Sequence, residues 1–136
     1  MSFLNQIYLY LICLGTFLAV DFFWLGVVAK KFYRRELGGL IAESTNWVAA
    51  IVFYLLFVVG IMVFVVNPAL EKNSVVRSIG LGVLFGLISY ATYDLTNLAT
   101  LSGWSVKVTV IDLLWGGFLS AIVSAVGYLV ANIFLT

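Results

Sequence analysis

The sequence predicts an all-α polytopic membrane protein, built as a four-helix transmembrane up-down bundle. Hydrophobic residues make up 64% of the chain and charged residues only 10%, whereas a soluble domain usually carries about a quarter charged residues. The apolar residues are grouped in four stretches, each long enough, at about 20 residues, to cross the hydrocarbon core of a bilayer. Short polar segments separate them, so we expect a single transmembrane domain over residues 1–136.

The four expected spans lie at about residues 6–29, 47–66, 78–101 and 108–134. The second is expected to stop before Pro68, because proline cannot continue a helix. It is also nearly free of polar side chains, which favours it as the helix most exposed to lipid. The start of the first span lacks the basic segment of a signal peptide, so we expect this helix to be retained.

Basic residues are distributed unequally between the two sides of the bundle. The first and third connections share one side and carry five of the seven, which are Lys30, Lys31, Arg34, Arg35 and Lys107. The second connection carries the other two, Lys72 and Arg77. The positive-inside rule therefore predicts that this five-residue side, here called the basic side, is cytoplasmic and that both termini lie outside.

The first connection interleaves cations with aromatic residues from Lys30 onward. One interpretation is ordinary anchoring at the membrane interface by snorkelling side chains. The other is a short surface helix that recognises anionic lipid headgroups. The residues alone favour membrane lipids as a partner in either case.

Composition excludes several kinds of site. The chain has no histidine and one cysteine, Cys13. An intrachain disulfide is therefore excluded, and the usual nitrogen and sulfur ligands of zinc, copper and haem are missing. We predict no metal site and no cofactor. A net charge of +1 gives no reason to expect nucleic acid as a partner.

Three aspartates, Asp21, Asp94 and Asp112, fall inside the expected spans. A carboxylate in the bilayer centre costs roughly 3 kcal/mol on insertion scales, and such residues usually mark functional sites. The chain has only six acidic residues in all. Because successive spans alternate in direction, all three are expected in the half of the bundle next to the basic side.

Each aspartate has polar or aromatic neighbours at helical spacing. In the third span Tyr90, Asp94 and Asn97 share one face. Asp21 and Asp112 each open the pattern Asp-x-x-Trp, with Trp24 and Trp115, and an indole N–H at this spacing can donate to a carboxylate on a neighbouring helix. The candidate ligand-binding residues are therefore Asp21, Trp24, Tyr90, Asp94, Asn97, Asp112 and Trp115.

Structural roles compete with binding for each acid. Asp112 could be a hydrated residue near the start of the fourth span, where the helix dipole favours an anion. Asp21 could simply accept hydrogen bonds from Asn97, Tyr90 or a tryptophan. Asp94 is the acid least suited to a purely structural role. Three negative charges cannot persist unpaired in one low-dielectric site, so we expect either a bound cation or a protonated carboxyl group.

Small residues form ridges on the last two spans. Gly82 and Gly86 are four residues apart, and the fourth span carries the ridges Gly116-Ser120-Ser124 and Gly117-Ala121-Ala125. Such ridges allow helices to approach closely in lipid. They predict either packing within the chain or a dimer interface.

Three motifs together carry a family resemblance. They are Asp-Phe-Phe-Trp-Leu-Gly at 21–26, Tyr-Asp-Leu-Thr-Asn-Leu-Ala-Thr at 93–100 and Asp-Leu-Leu-Trp-Gly at 112–116. With them the chain resembles an uncharacterised family of predicted bacterial four-helix membrane proteins, a domain of unknown function. The resemblance covers nearly the whole chain and implies the four-helix architecture. It implies no activity, and it places the expected location in the bacterial inner membrane.

Three classes of function fit these observations. The first is a small transporter or ligand-binding protein with an aspartate-lined cavity near the cytoplasmic side, for a cation or an amine, and a transporter this small would be a homo-oligomer. The second is an assembly subunit whose acids pair with a basic residue of a membrane partner. The third is an intramembrane carboxylate-based enzyme, for which no activated nucleophile is evident.

Overall fold

The computed structural model describes residues 1–136, is almost wholly helical and contains no strand. Four helices are long and apolar enough to span a membrane: α1 (Phe3–Val28), α3 (Trp47–Glu71), α4 (Val75–Thr100) and α5 (Val106–Leu135). A shorter helix, α2 (Lys30–Leu37), follows α1. The predicted all-α four-helix bundle is confirmed, and the chain is a multi-pass membrane protein.

Side-chain caps set the beginning of each spanning helix. The residues immediately before α1, α3, α4 and α5 are Ser2, Asn46, Ser74 and Ser105, and each accepts a hydrogen bond from a backbone N–H three residues later. A serine or asparagine in this position satisfies one of the N–H groups that the first turn leaves free. As a result α4 and α5 begin two to three residues earlier than the expected 78 and 108.

The second span does not end before Pro68. The helix widens to a π-helical turn at Met62–Val66, where the N–H of Asn67 bonds to the carbonyl of Met62. Pro68 then lies in the first turn of the α-helical segment Asn67–Glu71, where the missing N–H of a proline is not needed. The helix therefore continues to Glu71, and the expectation that proline would stop it at residue 66 is wrong.

The apolar core lies in the half of the bundle away from the basic side. It joins three helices through side chains that are nearly or wholly inaccessible, among them Leu9, Cys13, Phe17, Val58, Ile61, Val66, Leu119, Val123 and Tyr128. A larger share of α3 is buried than of α1 or α4. The expectation that the second span would be the most lipid-exposed helix is therefore wrong, because its second half supplies much of this core.

α4 and α5 make the closest helix contact in the molecule. A Cβ atom on Gly86 would lie 2.0 Å from the carbonyl oxygen of Gly116, and one on Gly82 would lie 3.0 Å from the carbonyl oxygen of Ser120. The backbones can approach this closely only because these positions have no side chain. The glycine ridge of α4 thus packs within the chain, against Gly116, Ser120 and Ser124, rather than being left free for a second copy.

Candidate functional site

All three aspartates are buried in the basic half of the bundle. Asp21 on α1 is 5% exposed, Asp94 on α4 is 0% exposed and Asp112 on α5 is 6% exposed. Each lies six or seven residues from the basic end of its helix, which corresponds to roughly 10 Å at ~1.5 Å per residue. The acids therefore occupy one level of the membrane.

A cavity of about 360 Å³ opens at this level, here called the aspartate cavity. Five of the seven candidate residues line it, namely Asp21, Trp24, Tyr90, Asp112 and Trp115. The remaining lining consists of Leu25, Tyr33, Leu37, Tyr54 and Tyr93. The cavity thus combines two carboxyl groups with a wall that is mainly aromatic.

The two Asp-x-x-Trp patterns interact with each other across α1 and α5. The indole Nε1 of Trp115 donates to Oδ1 of Asp21 over 3.1 Å, as the spacing predicted. The rings of Trp24 and Trp115 are stacked, with centroids 4.3 Å apart and planes 8° from parallel. The hydrogen bond and the stacked rings therefore join α1 to α5 and hold both tryptophans in place in the cavity wall.

Tyr33 of α2 completes the network. Trp24 donates from Nε1 to the hydroxyl oxygen of Tyr33 over 3.1 Å, and the Tyr33 hydroxyl donates to Oδ1 of Asp112. Burial raises the pKa of the Tyr33 phenol, and the negative charge of Asp112 raises it further. The phenol therefore keeps its proton and remains a donor to the carboxyl group.

Sequence reasoning missed Tyr33 because the first connection was interpreted as an interfacial anchor. The signal was present in the spacing of α2. Its four cations, Lys30, Lys31, Arg34 and Arg35, share one exposed face, whereas Phe32, Tyr33, Glu36 and Leu37 are partly buried on the other. Glu36 accepts a hydrogen bond from Ser105 at the start of α5, so α2 is docked over the cavity rather than lying free at the surface.

Asp94 lies behind the cavity wall and has an unusual environment. Neither of its carboxyl oxygens accepts a hydrogen bond from a protein donor. Asp112 of α5 is the ionisable group next to it. Two neighbouring carboxylates that are both ionised repel each other, whereas one proton held between them would remove the repulsion.

The comparison with protein families agrees with this architecture. Residues 6–129 match the family described as predicted membrane protein (DUF2177). The chain belongs to this family. The resemblance to a family of unknown function is thereby confirmed, and the match spans every candidate residue from Asp21 to Trp115. No curated protein and no solved structure matches the chain.

None of the basic residues of this DUF2177 chain neutralises the aspartates. All seven lysine and arginine residues are exposed, and the only two ion pairs join Glu36 to Arg35 and Lys107. No three acidic or cysteine side chains lie close enough together to coordinate one metal ion. The three carboxyl groups are therefore brought to one level of the bundle without a cationic partner from the chain.

Asn97, like Asp94, does not line the cavity. It is half-buried and lies one turn closer to the basic end than Asp94. Its neighbours Thr96 and Thr100 are exposed. Their hydroxyl groups donate to carbonyl oxygens of their own helix, which satisfies them without a partner helix.

Proposed function

We propose that this protein binds a cation or an organic amine in the aspartate cavity, as a small transport or ligand-binding protein. The observation that carries the proposal is the burial of three carboxyl groups, at 5%, 0% and 6% exposure, with no lysine or arginine beside them. Buried charges in proteins are normally paired or bound to a cation. A cationic ligand would supply the missing partner.

The lining of the cavity favours an organic amine over a bare metal ion. The indole rings of Trp24 and Trp115 and the phenol rings of Tyr54 and Tyr90 line the cavity together with Asp21 and Asp112. Aromatic faces attract ammonium groups by about 0.5 to 2 kcal/mol, most strongly where water is excluded. A metal ion would require several oxygen ligands converging on one point, and the carboxyl groups are not grouped in that way.

Because Asp94 and Asp112 are neighbours on α4 and α5, a proton held between them would add a way to couple binding to protons. A cation that enters the cavity stabilises the ionised form of Asp112 and weakens its hold on a shared proton. Binding would then release a proton on the basic side, which we propose to be cytoplasmic by the positive-inside rule. The location that follows is the inner membrane of a bacterium, with both termini outside.

The orientation of the acids separates this function from that of an assembly subunit. An acid that pairs with a basic residue of another membrane protein should point outward from the bundle. Asp21, Asp94 and Asp112 all point inward, and their helices enclose them. This favours a site completed within one chain, although a transporter of this size would work as an oligomer.

Cavity fluorescence can test the proposal directly. The chain has four tryptophans, so Trp47→Phe and Trp104→Phe leave Trp24 and Trp115 as the reporters inside the cavity. In this background we expect tetramethylammonium to change the emission saturably. Asp21→Asn retains an oxygen that can accept from Trp115 but loses the charge, and we expect it to weaken binding at least about tenfold, in line with charge-assisted contacts.

The matched control is Glu71→Gln, which removes an exposed acid at the other end of the bundle. We expect it to leave the titration unchanged. Equal affinity in the wild-type chain and in Asp21→Asn, or an equal loss in Glu71→Gln, would reject the aspartate cavity as the binding site.

A further inference from the structure

A second cavity of about 290 Å³ lies between α3 and α4 and is here called the lateral groove. Phe53 of α3 and Ser89, Tyr90 and Tyr93 of α4 line it. Tyr90 and Tyr93 also line the aspartate cavity. The two spaces are therefore neighbours separated by the rings of Tyr90 and Tyr93, and a ligand that occupies both has to pass beside these rings.

The groove exists because α3 and α4 separate in the basic half. Further along, their contact is closed by aromatic rings, with Phe57 and Phe85 at 5.2 Å and Phe64 and Phe85 at 6.3 Å between centroids. Near Ser89 the small side chain leaves a gap. Phe53 is 44% exposed and Tyr93 is 53% exposed, and at this depth of a membrane-spanning bundle such surfaces face lipid chains.

The depth of the two spaces matches the shape of an amphiphile. Phe53 and Tyr93 lie six and seven residues from the basic ends of α3 and α4, level with Asp94, whereas Ser89 lies eleven residues away, roughly 16 Å at ~1.5 Å per residue. The groove thus begins at the level of the carboxyl groups and extends further toward the bilayer centre. A lipid-like molecule in this leaflet has its polar head and its chain arranged in the same order.

We infer that the ligand is a cationic amphiphile, with an amine or quaternary ammonium head and an apolar chain, which enters from the bilayer between α3 and α4. The inference rests on the proposed function, because the head is assigned to the aspartate cavity. The chain occupies the lateral groove, whose wall is aromatic apart from the Ser89 hydroxyl, and that hydroxyl already donates to the carbonyl of Phe85. Specificity for the head comes from charge, since the cavity offers carboxyl groups and no cation.

The test compares two probes that share a head and differ in their chain. Decyltrimethylammonium and tetramethylammonium are titrated against the protein in phosphatidylglycerol nanodiscs, whose lipid has no amine head that could compete, with Trp24 and Trp115 as reporters. Ser89→Phe fills the groove, and we expect it to weaken decyltrimethylammonium binding at least tenfold while tetramethylammonium binding is unchanged. The wild-type chain and Ser89→Phe are measured in the same lipid. Partitioning of the long probe into the bilayer therefore affects both equally and does not change the comparison.

The matched control is Ile88→Phe, which adds an aromatic ring on the adjacent outward surface of α4, where Ile88 is 57% exposed. It should affect neither probe. If Ser89→Phe does not yield folded protein, Ser89→Leu provides a smaller obstruction at the same place. Decanol and decyl sulfate, with the same chain and a neutral or anionic head, should not compete.

The outcomes separate the two proposals. Unchanged binding of both probes in Ser89→Phe, or an equal loss of both, would overturn lateral entry and leave the aspartate site standing. Competition by decanol or decyl sulfate would overturn the assignment of a cationic head. Asp21→Asn that weakens neither probe would overturn the proposed function itself.

Discussion

The two halves of the bundle differ in the polar groups that they contain. In the packed half, away from the basic side, the side-chain amides of Gln6 and Asn67 bond to each other in both directions, at 3.3 and 3.2 Å, and Asn5 donates to the carbonyl of Leu135. In the basic half, three ionisable carboxyl groups are buried, and Asp94 has no protein donor. Ser120 and Ser124 of α5 also have buried hydroxyl groups without a partner, but these carry no charge. The burial of ionisable groups, which is costly inside a membrane, therefore marks the half in which function is to be sought.

The largest expected effect comes from a substitution that disrupts the close packing of α4 against α5. Gly86→Ala places a Cβ atom 2.0 Å from the carbonyl oxygen of Gly116. Overpacking costs about 1 to 3 kcal/mol and occasionally more, and a backbone oxygen cannot rotate away as a side chain can. We expect a loss of at least about 3 kcal/mol in the free energy of unfolding, measured by titration with dodecyl sulfate in mixed micelles.

Gly80→Ala is the control for this substitution. It lies on the same helix, but a Cβ atom there meets nothing within 4 Å. Alanine is favoured over glycine in a helix by up to about 1 kcal/mol, so the variant should be as stable as the wild-type chain or slightly more so. Equal stability of Gly86→Ala and Gly80→Ala would contradict the close contact.

The next effect separates stability from binding in the basic half. Asp94→Asn removes a buried ionisable group whose oxygens have no protein donor, and we expect the folded protein to be at least as stable, because ionisation is costly in a low-dielectric site. Binding of tetramethylammonium should fall at least about tenfold, or about 1.4 kcal/mol. Asp94→Leu removes the polar group as well as the ionisable one, and we expect it to lose binding too.

Circular dichroism and the dodecyl sulfate titration report folding, and cavity fluorescence reports binding. If Asp94→Asn binds the probe normally, Asp94 is not part of the functional site. If it loses both binding and folding, the carboxyl group is structural, and the contrast between the two halves disappears.

The depth of the aspartates could be predicted from sequence because it depends only on the number of spans and on the position of each acid within its span. Four spans that alternate in direction place Asp21, Asp94 and Asp112 on one side whichever way the protein faces the membrane. The hydrogen bond from Trp115 to Asp21 followed from helical spacing in the same way. Long apolar periods and short connections determine these features, and the remaining packing has little influence on them.

Features that depend on how helices diverge could not be predicted. Tyr90, Asp94 and Asn97 share a face by spacing, yet only Tyr90 lines the cavity, because a helical period gives direction without giving the distance to a neighbouring helix. The gap between α3 and α4 at Ser89 depends on aromatic contacts elsewhere on the same helices. Such contacts involve residues far apart in the sequence, and no local pattern indicates them.

The smallest expected effect is at the boundary of the basic half, where α2 covers the cavity. Tyr33→Phe keeps the ring but removes both the donor to Asp112 and the acceptor for Trp24. A hydrogen bond to a charged group contributes about 1.5 to 3 kcal/mol, so local opening of α2 should become roughly tenfold more frequent. Because the apolar core lies in the other half, the midpoint of global unfolding should hardly change.

Cleavage by trypsin at the exposed cations of α2 measures the opening. The control is Tyr8→Phe, which changes an exposed tyrosine on α1 in the packed half. An unchanged cleavage rate in Tyr33→Phe would mean that Glu36 and the apolar face of α2 suffice to hold the helix over the cavity.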